Sequence, residues 1–327
     1  TAYGVTAGLA AVGGQLAGGA LIAADVLGLG WRACFLVNVP IGIAAVAVAG
    51  RWVPETRADR RLGIDAPSVL LLSTGLAALI LPLAEGQDRG WPLWCVLALV
   101  GAVGLLAVFA WRQRRLAARG DDPLVDLALL GDRTLGVGSL LCLVLQCGVA
   151  SSFFVLALTL QGGIGLSALD SGLVFTVLAA GYVATSFAAP ALLARLGTGL
   201  LVGGAVVSAA GEVALALAAS TIAPGSSVVP LLPGLALAGL GMGMLFGPSV
   251  TVALSRIDPR RSGECSGVVT TIQQTGGAVG VGLLGIVFAG ALDDGDHAHA
   301  FAVASWCLAG QCALVGLIAL GLRVRRS

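Results

Sequence analysis

The sequence predicts an all-α polytopic membrane protein with about ten transmembrane helices. Of its 327 residues, 57% are hydrophobic and 11% are charged, whereas soluble domains typically carry about 25% charged residues. Apolar runs of about 18 to 28 residues, long enough to cross a hydrocarbon core of roughly 30 Å, recur along the chain. Because so few charged residues remain to cover a globular surface, lipid is expected to surround most of the chain.

Ten such runs follow one another, and the charge between them alternates. The predicted spans lie near residues 3–24, 32–53, 67–84, 92–111, 135–160, 170–193, 199–221, 230–254, 263–291 and 301–322. The segments after the even-numbered spans, the loop at Arg195 and the C-terminal tail contain sixteen arginines, against Arg32 and Arg89 on the other side. By the positive-inside rule the arginine-rich side is cytoplasmic, so both termini are predicted to face the cytoplasm.

The second span begins at a boundary motif. Trp31 and Arg32 suit the interface between water and lipid, where an amphipathic ring and a charged group stay hydrated. Pro40 lies inside the apolar run, and a proline there leaves a backbone carbonyl that neighbouring helices can satisfy but lipid cannot. The pattern therefore predicts that this span is packed within a helix bundle.

Two polar interruptions predict the domain organisation. One follows the second span at residues 54–61, and the other covers residues 111–133, where Gly120-Asp121-Asp122-Pro123 is typical of a turn. The predicted units are the last two spans of an N-terminal bundle (1–53), a cytoplasmic loop with a two-helix insert (54–111), a cytoplasmic linker (112–134) and a six-helix C-terminal bundle (135–327).

Four stretches carry a resemblance to a known family. They are W-R-x-x-F-L-x-N-V-P-I-G at 31–42, G-Q-L-A-G-G at 14–19, and the glycine-rich segments at 239–248 and 260–280. Together they resemble the fourteen-helix drug:proton antiporters of the major facilitator superfamily, although Gln15 stands where that family often has proline. The resemblance implies two six-helix halves related by a parallel repeat, with the substrate path between them. It aligns the ten spans with family spans five to fourteen, so the first four helices are expected to be missing.

The resemblance also implies a function. It predicts a secondary transporter of the cell (inner or plasma) membrane that exports lipophilic or cationic small molecules in exchange for protons. Its partners would be the bilayer, the substrate and protons, and we expect no enzyme activity, cofactor, metal, nucleotide or nucleic acid. A P-loop needs a lysine, but all 18 basic residues here are arginine, so the sequence contains no P-loop motif for nucleotide binding. Two alternatives remain open: a truncated chain or membrane subunit that does not transport without the missing helices, and an importer or uniporter on the same fold.

Glu212 is the one carboxylate deep inside a predicted span. An ionised carboxylate in hydrocarbon is costly, so such residues usually face a cavity or a partner, or stay protonated. One hypothesis is that Glu212 exchanges the coupling proton. The other is that it is a protonated, hydrogen-bonded contact between helices with no part in transport.

Four amides form the second group of candidates: Asn38, Gln146, Gln273 and Gln274. On the central path they would orient an apolar substrate through a few hydrogen bonds. Between helices they would instead stabilise packing. The sequence leaves both interpretations open and favours Gln273 and Gln274, next to a glycine-rich face, as the pair on the path.

Glycine pairs predict close helix packing in two spans. Gly14 and Gly18 lie in the penultimate span of the first half, and Gly276 and Gly280 in that of the second; with Pro40 they form a predicted packing or gating motif. The string G-x-G-x-x-G at 280–285 lies in mid-span, which favours helix packing over nucleotide binding. The acidic loop at 293–299 is interpreted as solvated, with a divalent-cation site as the alternative.

Overall fold

A computed structural model describes residues 2–25, 28–52, 65–86, 89–121, 123–255, 257, 262–292 and 295–322. These residues form helices and connecting turns, and no strand occurs among them. The α-helices are α1 (Ala2–Ala23), α2 (Ala33–Leu36), α3 (Asn38–Trp52), α4 (Ala66–Glu85), α5 (Leu93–Arg119), α6 (Arg133–Leu158), α7 (Ala168–Leu196), α8 (Gly199–Ala218), α9 (Leu232–Ala253), α10 (Ser262–Gly290) and α11 (His297–Gly321). Short 3₁₀ turns lie at Gly30–Arg32, Leu129–Gly131, Ala219–Thr221 and Val229–Leu231, and a π-helical turn, Thr159–Ile164, extends α6.

Nine helical segments in the described ranges are long and apolar enough to cross a membrane. They coincide with predicted spans two to ten. The first predicted span is also a helix, α1, in which six of the 22 residues are glycine. It is not among the nine, so its crossing of the membrane remains a prediction.

The segment around Pro40 differs from the prediction. The helix is interrupted at Val37, and α3 begins anew at Asn38, so Pro40 occupies the first turn of α3. Amide groups in a first turn have no partner within the helix, and the missing N–H of proline therefore costs nothing there. No residue of α3 is buried. The predicted packing of this span within a bundle is therefore wrong for the described structure.

The predicted linker begins later than residue 112. Helix α5 continues to Arg119 and ends at Gly120, whose φ of 76° lies in the left-handed region that favours glycine. Residues 112–119 are thus helical, and the non-helical connection to α6 starts at Gly120. The polar stretch at 54–61 lies outside the described residues.

A polar cluster joins α4, α5 and this connection. Arg112 of α5 donates to both carboxylate oxygens of Asp65, at 2.7 and 3.0 Å, just before α4 begins. Ser68 donates to the same carboxylate and accepts a hydrogen bond of 2.6 Å from Nε2 of Gln113. Oε1 of Gln113 in turn accepts from the backbone N–H of Val125 at 3.1 Å. Side-chain hydrogen bonds therefore join the hairpin of α4 and α5 to the connection that follows α5.

Helices α6–α11, called the C-terminal bundle below, contain most of the buried residues among those that the structure describes. Helices α7 and α8 both pack along α9, α11 packs on α8, and α10 packs on α6. Its largest apolar cluster includes Leu160, Phe175, Leu235 and Phe301, each at most 3% exposed. Outside the bundle, α1 packs on α7 and α4 makes a smaller contact with α10.

Candidate transport site

Glu212 lies in the interior of the C-terminal bundle. Its side chain is 2% exposed on α8, and its Oε1 accepts a hydrogen bond of 3.2 Å from Oγ of Ser152 on α6. Arg133 and Arg195, the described arginines of helices α6 to α8, lie at helix ends. Within the described residues, a neutral hydroxyl and not a cation therefore contacts this carboxylate.

Gln146 and Gln273 lie on the faces of α6 and α10 that meet. A Cβ built on Gly277 of α10 would lie 3.6 Å from Cγ of Gln146, so the Gln146 side chain packs over that glycine. Gln273 lies one turn earlier on α10 and is 7% exposed. Oε1 of Gln146 and Nε2 of Gln273 are both buried without a hydrogen-bond partner. One interface thus contains an unpaired acceptor and an unpaired donor.

The other two amides lie in different surroundings. Gln274 is exposed on α10. Asn38 is exposed at the start of α3, where its Nδ2 donates to the carbonyl of Cys34 at 3.1 Å. The structure therefore brings Gln146 and Gln273 to one interface but places neither Gln274 nor Asn38 there.

The glycines of α10 permit its backbone to approach α6. A Cβ on Gly276 would lie 2.5 Å from the carbonyl O of Leu143, and one on Gly280 would overlap the carbonyl O of Cys147. Such distances exclude any side chain at either position without separation of the helices. The amides and glycines therefore belong to one tightly packed contact between α6 and α10.

The glycines of α1 are placed differently. A Cβ built on Gly14 would meet nothing within 4 Å, and one on Gly18 would lie 3.9 Å from Sγ of Cys34. The close approach to α7 occurs at Gly19 instead, where a Cβ would lie 2.8 Å from the carbonyl O of Ala168. The predicted glycines were Gly14 and Gly18, whereas Gly19 makes the close approach, because the rotation of the helix decides which glycine meets the neighbour.

Other features of the site were absent from the sequence analysis. Ser152 was not singled out, because a serine in an apolar span gives no signal until its partner across 60 residues is known. The π-helical turn Thr159–Ile164 was also missed, although Gly162 and Gly163 interrupt the apolar run there. Among the described residues no cluster of three or more His, Cys, Asp or Glu side chains is placed to bind a metal ion.

The fold and the buried polar groups define a polytopic helical membrane protein. The sequence profile of the Major Facilitator Superfamily matches residues 1–281, and the chain belongs to that family. It is therefore a multi-pass protein of the cell membrane, in a family of transporters and not of enzymes.

Several relatives have names that state what they handle. The chain is 37% identical over 292 residues to a probable actinorhodin transporter of Streptomyces coelicolor, covering 89% of this chain and 50% of that protein. It is 34% identical to a puromycin resistance protein of Streptomyces alboniger (88% and 56% covered) and 32% identical to a cephamycin export protein of Amycolatopsis lactamdurans (78% and 52% covered). The chain thus spans about half the length of the curated relatives it matches.

Proposed function

We propose that the protein to which this chain belongs exports lipophilic or cationic small molecules from the cell in exchange for protons. The names of the relatives support an export function for antibiotic-like compounds. The proton as driving ion rests on the resemblance to drug:proton antiporters. The observation that carries the proposal is the carboxylate of Glu212, enclosed in the C-terminal bundle.

Enclosure of Glu212 supplies a physical route for coupling. The free-energy cost of burying a carboxylate depends on its charge. Gain or loss of one proton therefore changes the balance between conformations of the bundle that bury Glu212 and conformations that expose it to water. The hydroxyl of Ser152 can donate to the ionised carboxylate and can accept from the protonated one. Glu212 can therefore change its charge without losing this hydrogen bond.

Helix α6 connects this proton site to the amide pair. Ser152 and Gln146 lie six residues apart on α6, about 9 Å along the helix axis. A shift of α6 that accompanies the charge change at Glu212 also moves Gln146 against α10. In the proposal, Gln146 and Gln273 contact the substrate with the two polar atoms that lack partners.

The test is transport of a fluorescent lipophilic cation into everted membrane vesicles under an imposed proton gradient. Glu212→Gln keeps the size of the side chain and its hydrogen bond to Ser152, and we expect it to abolish gradient-driven uptake while the protein still inserts. The matched control is Glu85→Gln, which removes a carboxylate paired with Arg89 at a helix end and should leave uptake unchanged. Uptake by Glu212→Gln equal to that of the unmodified protein at every pH would remove Glu212 from the mechanism.

The same assay separates the alternative functions. It is run on the 327-residue chain and on a form extended upstream. Activity only in the longer form would mean that transport needs helices beyond this chain. Uptake by right-side-out vesicles without dependence on Glu212 would favour an importer or uniporter.

A further inference from the structure

A cavity lies where the two-helix insert meets the C-terminal bundle. It has a volume of about 500 Å³ and lies between α4, α6 and α10, a size within the range of about 300 to 1,000 Å³ of small-molecule pockets. Leu83 and Ala84 of the two-helix insert form one wall, Phe154 and Leu158 of α6 form another, and α10 contributes the face around Gly285. The insert therefore helps to enclose an apolar space beside the C-terminal bundle.

The two-helix insert approaches α10 closely at Gly282, which also lines this cavity. A Cβ built on Gly282 would lie 2.6 Å from Cβ of Leu83. Further along α10, a Cβ on Gly285 would lie 3.5 Å from Cε1 of Phe154, an ordinary contact distance. The helices are thus close at Gly282 and leave open space next to Gly285.

His297 is the one polar side chain among the described residues that line this cavity. Its ring packs against the π-helical turn of α6, where a Cβ on Gly162 would lie 2.8 Å from Cε1 of His297. The ring centroid lies 6.2 Å from that of Phe288. Nδ1 of His297 is buried without a hydrogen-bond partner. The side chain as a whole is half-buried, but a nitrogen enclosed without a hydrogen-bond partner is costly.

We propose that this cavity binds an uncharged apolar molecule of small-molecule size that has one hydroxyl or carbonyl group. Its oxygen pairs with the imidazole of His297, and its apolar body contacts α4 and α10. A phospholipid headgroup is a poor match, because the described lining residues contain no cation for the phosphate. Two acidic residues that the structure describes close by have other partners: Glu85 pairs with Arg89 at 2.9 Å, and Asp296 accepts from the backbone N–H of His299. The binding does not depend on proton exchange at Glu212.

The experiment uses the full chain in lipid nanodiscs and two photoreactive probes. One probe is an eight-carbon alcohol with a diazirine, and the other is the matching diazirine alkane without the hydroxyl. We expect the alcohol to label the walls at Leu83, Ala84 and residues 281–289, and excess unlabelled octanol to suppress that labelling. His297→Phe keeps the ring and removes both nitrogens. It should lower alcohol labelling about fivefold, as loss of one neutral hydrogen bond implies, and leave alkane labelling unchanged.

Two matched controls accompany these measurements. His299→Phe makes the same change at an exposed position two residues away and should leave labelling by the alcohol intact. Gly285→Leu fills the cavity and should abolish labelling by both probes, whereas Leu283→Phe adds bulk on a side of α10 where Leu283 is 54% exposed and should not.

Three results would overturn the proposal. The first is equal alcohol labelling in His297→Phe and His299→Phe. The second is labelling that octanol does not suppress. The third is labelling of the same walls by a phosphatidylcholine that carries a diazirine in its acyl chain, if excess octanol does not suppress that labelling. This result would identify the occupant as bilayer lipid.

Discussion

The C-terminal bundle and the helices that precede it are similarly apolar, but the bundle is more buried. In Val229–Ala253 of the bundle, the most apolar stretch has a mean hydropathy of 1.8, and 50% of its residues are buried. In Gly30–Trp52, before the bundle, the corresponding stretch has a mean hydropathy of 2.1, but only 6% of its residues are buried. The α5 segment, Leu93–Arg119, has the highest mean hydropathy, 2.6, and is 17% buried. Hydropathy therefore indicates which residues can face lipid, and it does not indicate which helices pack together.

Close packing in the bundle depends on small residues at helix crossings. At Gly239 of α9 a Cβ would overlap the carbonyl O of Leu178 on α7, and at Gly211 of α8 it would lie 2.8 Å from Cα of Ala238. At Gly42 of α3 nothing lies within 4 Å. The hairpin α4–α5 is intermediate, because polar side chains at one end supplement its apolar contacts.

The largest expected effect contrasts glycines from the two regions. Gly239→Ala forces α7 and α9 apart, and overpacking of this kind costs about 1–3 kcal/mol or more. In Gly42→Ala the added methyl group contacts no neighbour, and the change from glycine to alanine favours the helix by up to about 1 kcal/mol. Thermal unfolding in detergent, followed by fluorescence-detected size exclusion, should show a clear loss of stability for Gly239→Ala only. Equal melting temperatures for the two variants would break the contrast.

A smaller effect is expected at the polar cluster of the hairpin. Gln113 is 1% exposed and joins Ser68 to Val125 through two hydrogen bonds. Gln113→Leu leaves the backbone N–H of Val125 without this partner, at a cost of about 1 kcal/mol, whereas Ser68 keeps its hydrogen bonds with Asp65 and Arg112. Limited proteolysis of the connection at 120–132 should become faster. The control is Gln274→Leu, at an exposed amide of the bundle, and the same increase there would argue against a specific role for Gln113.

The smallest effect concerns pH. Hydrogen bonds from Arg112, and then from Ser68, hold the pKa of Asp65 below its ordinary value of 3.8. Since the folded-state pKa is the lower one, this stabilisation is complete well above pH 3.8 and is lost as the pH falls through the folded-state value. Hydrogen-exchange protection at Val125, corrected for intrinsic exchange, should therefore decline in acid. Asp65→Asn should show the reduced protection already at neutral pH. Equal protection in Asp65→Asn and in the unmodified protein at neutral pH would contradict the prediction.

The sequence predicted the features that depend on local chemistry. Nine spans and the turn at Gly120 follow from composition and turn chemistry. The burial of Glu212 was also expected from its position within an apolar run. The functional roles of Glu212, the amides and the glycine pairs remain predictions, as does the division into four units.

The remaining features depend on helix rotation and on pairing between distant residues. The ion pair of Asp65 with Arg112 spans 47 residues, and neither residue has a sequence signal that names the other. Gly19 instead of Gly14 meets α7 because of how α1 is rotated. The exposure of α3 could not be foreseen, because a proline in an apolar run is equally compatible with a helix that starts just before it.

The π-helical turn at Thr159–Ile164 has a consequence for mutational studies. The helix ends at this turn, because Gly165 follows it with a φ of 86°. The i→i+5 pattern of a π-turn places its residues at a different rotation about the helix axis from those of a continuous α-helix. Deletion of one residue from the turn would therefore shift Gly162 and Gly163 relative to His297. Variation in length by one residue would thus alter the cavity beside His297 without any substitution.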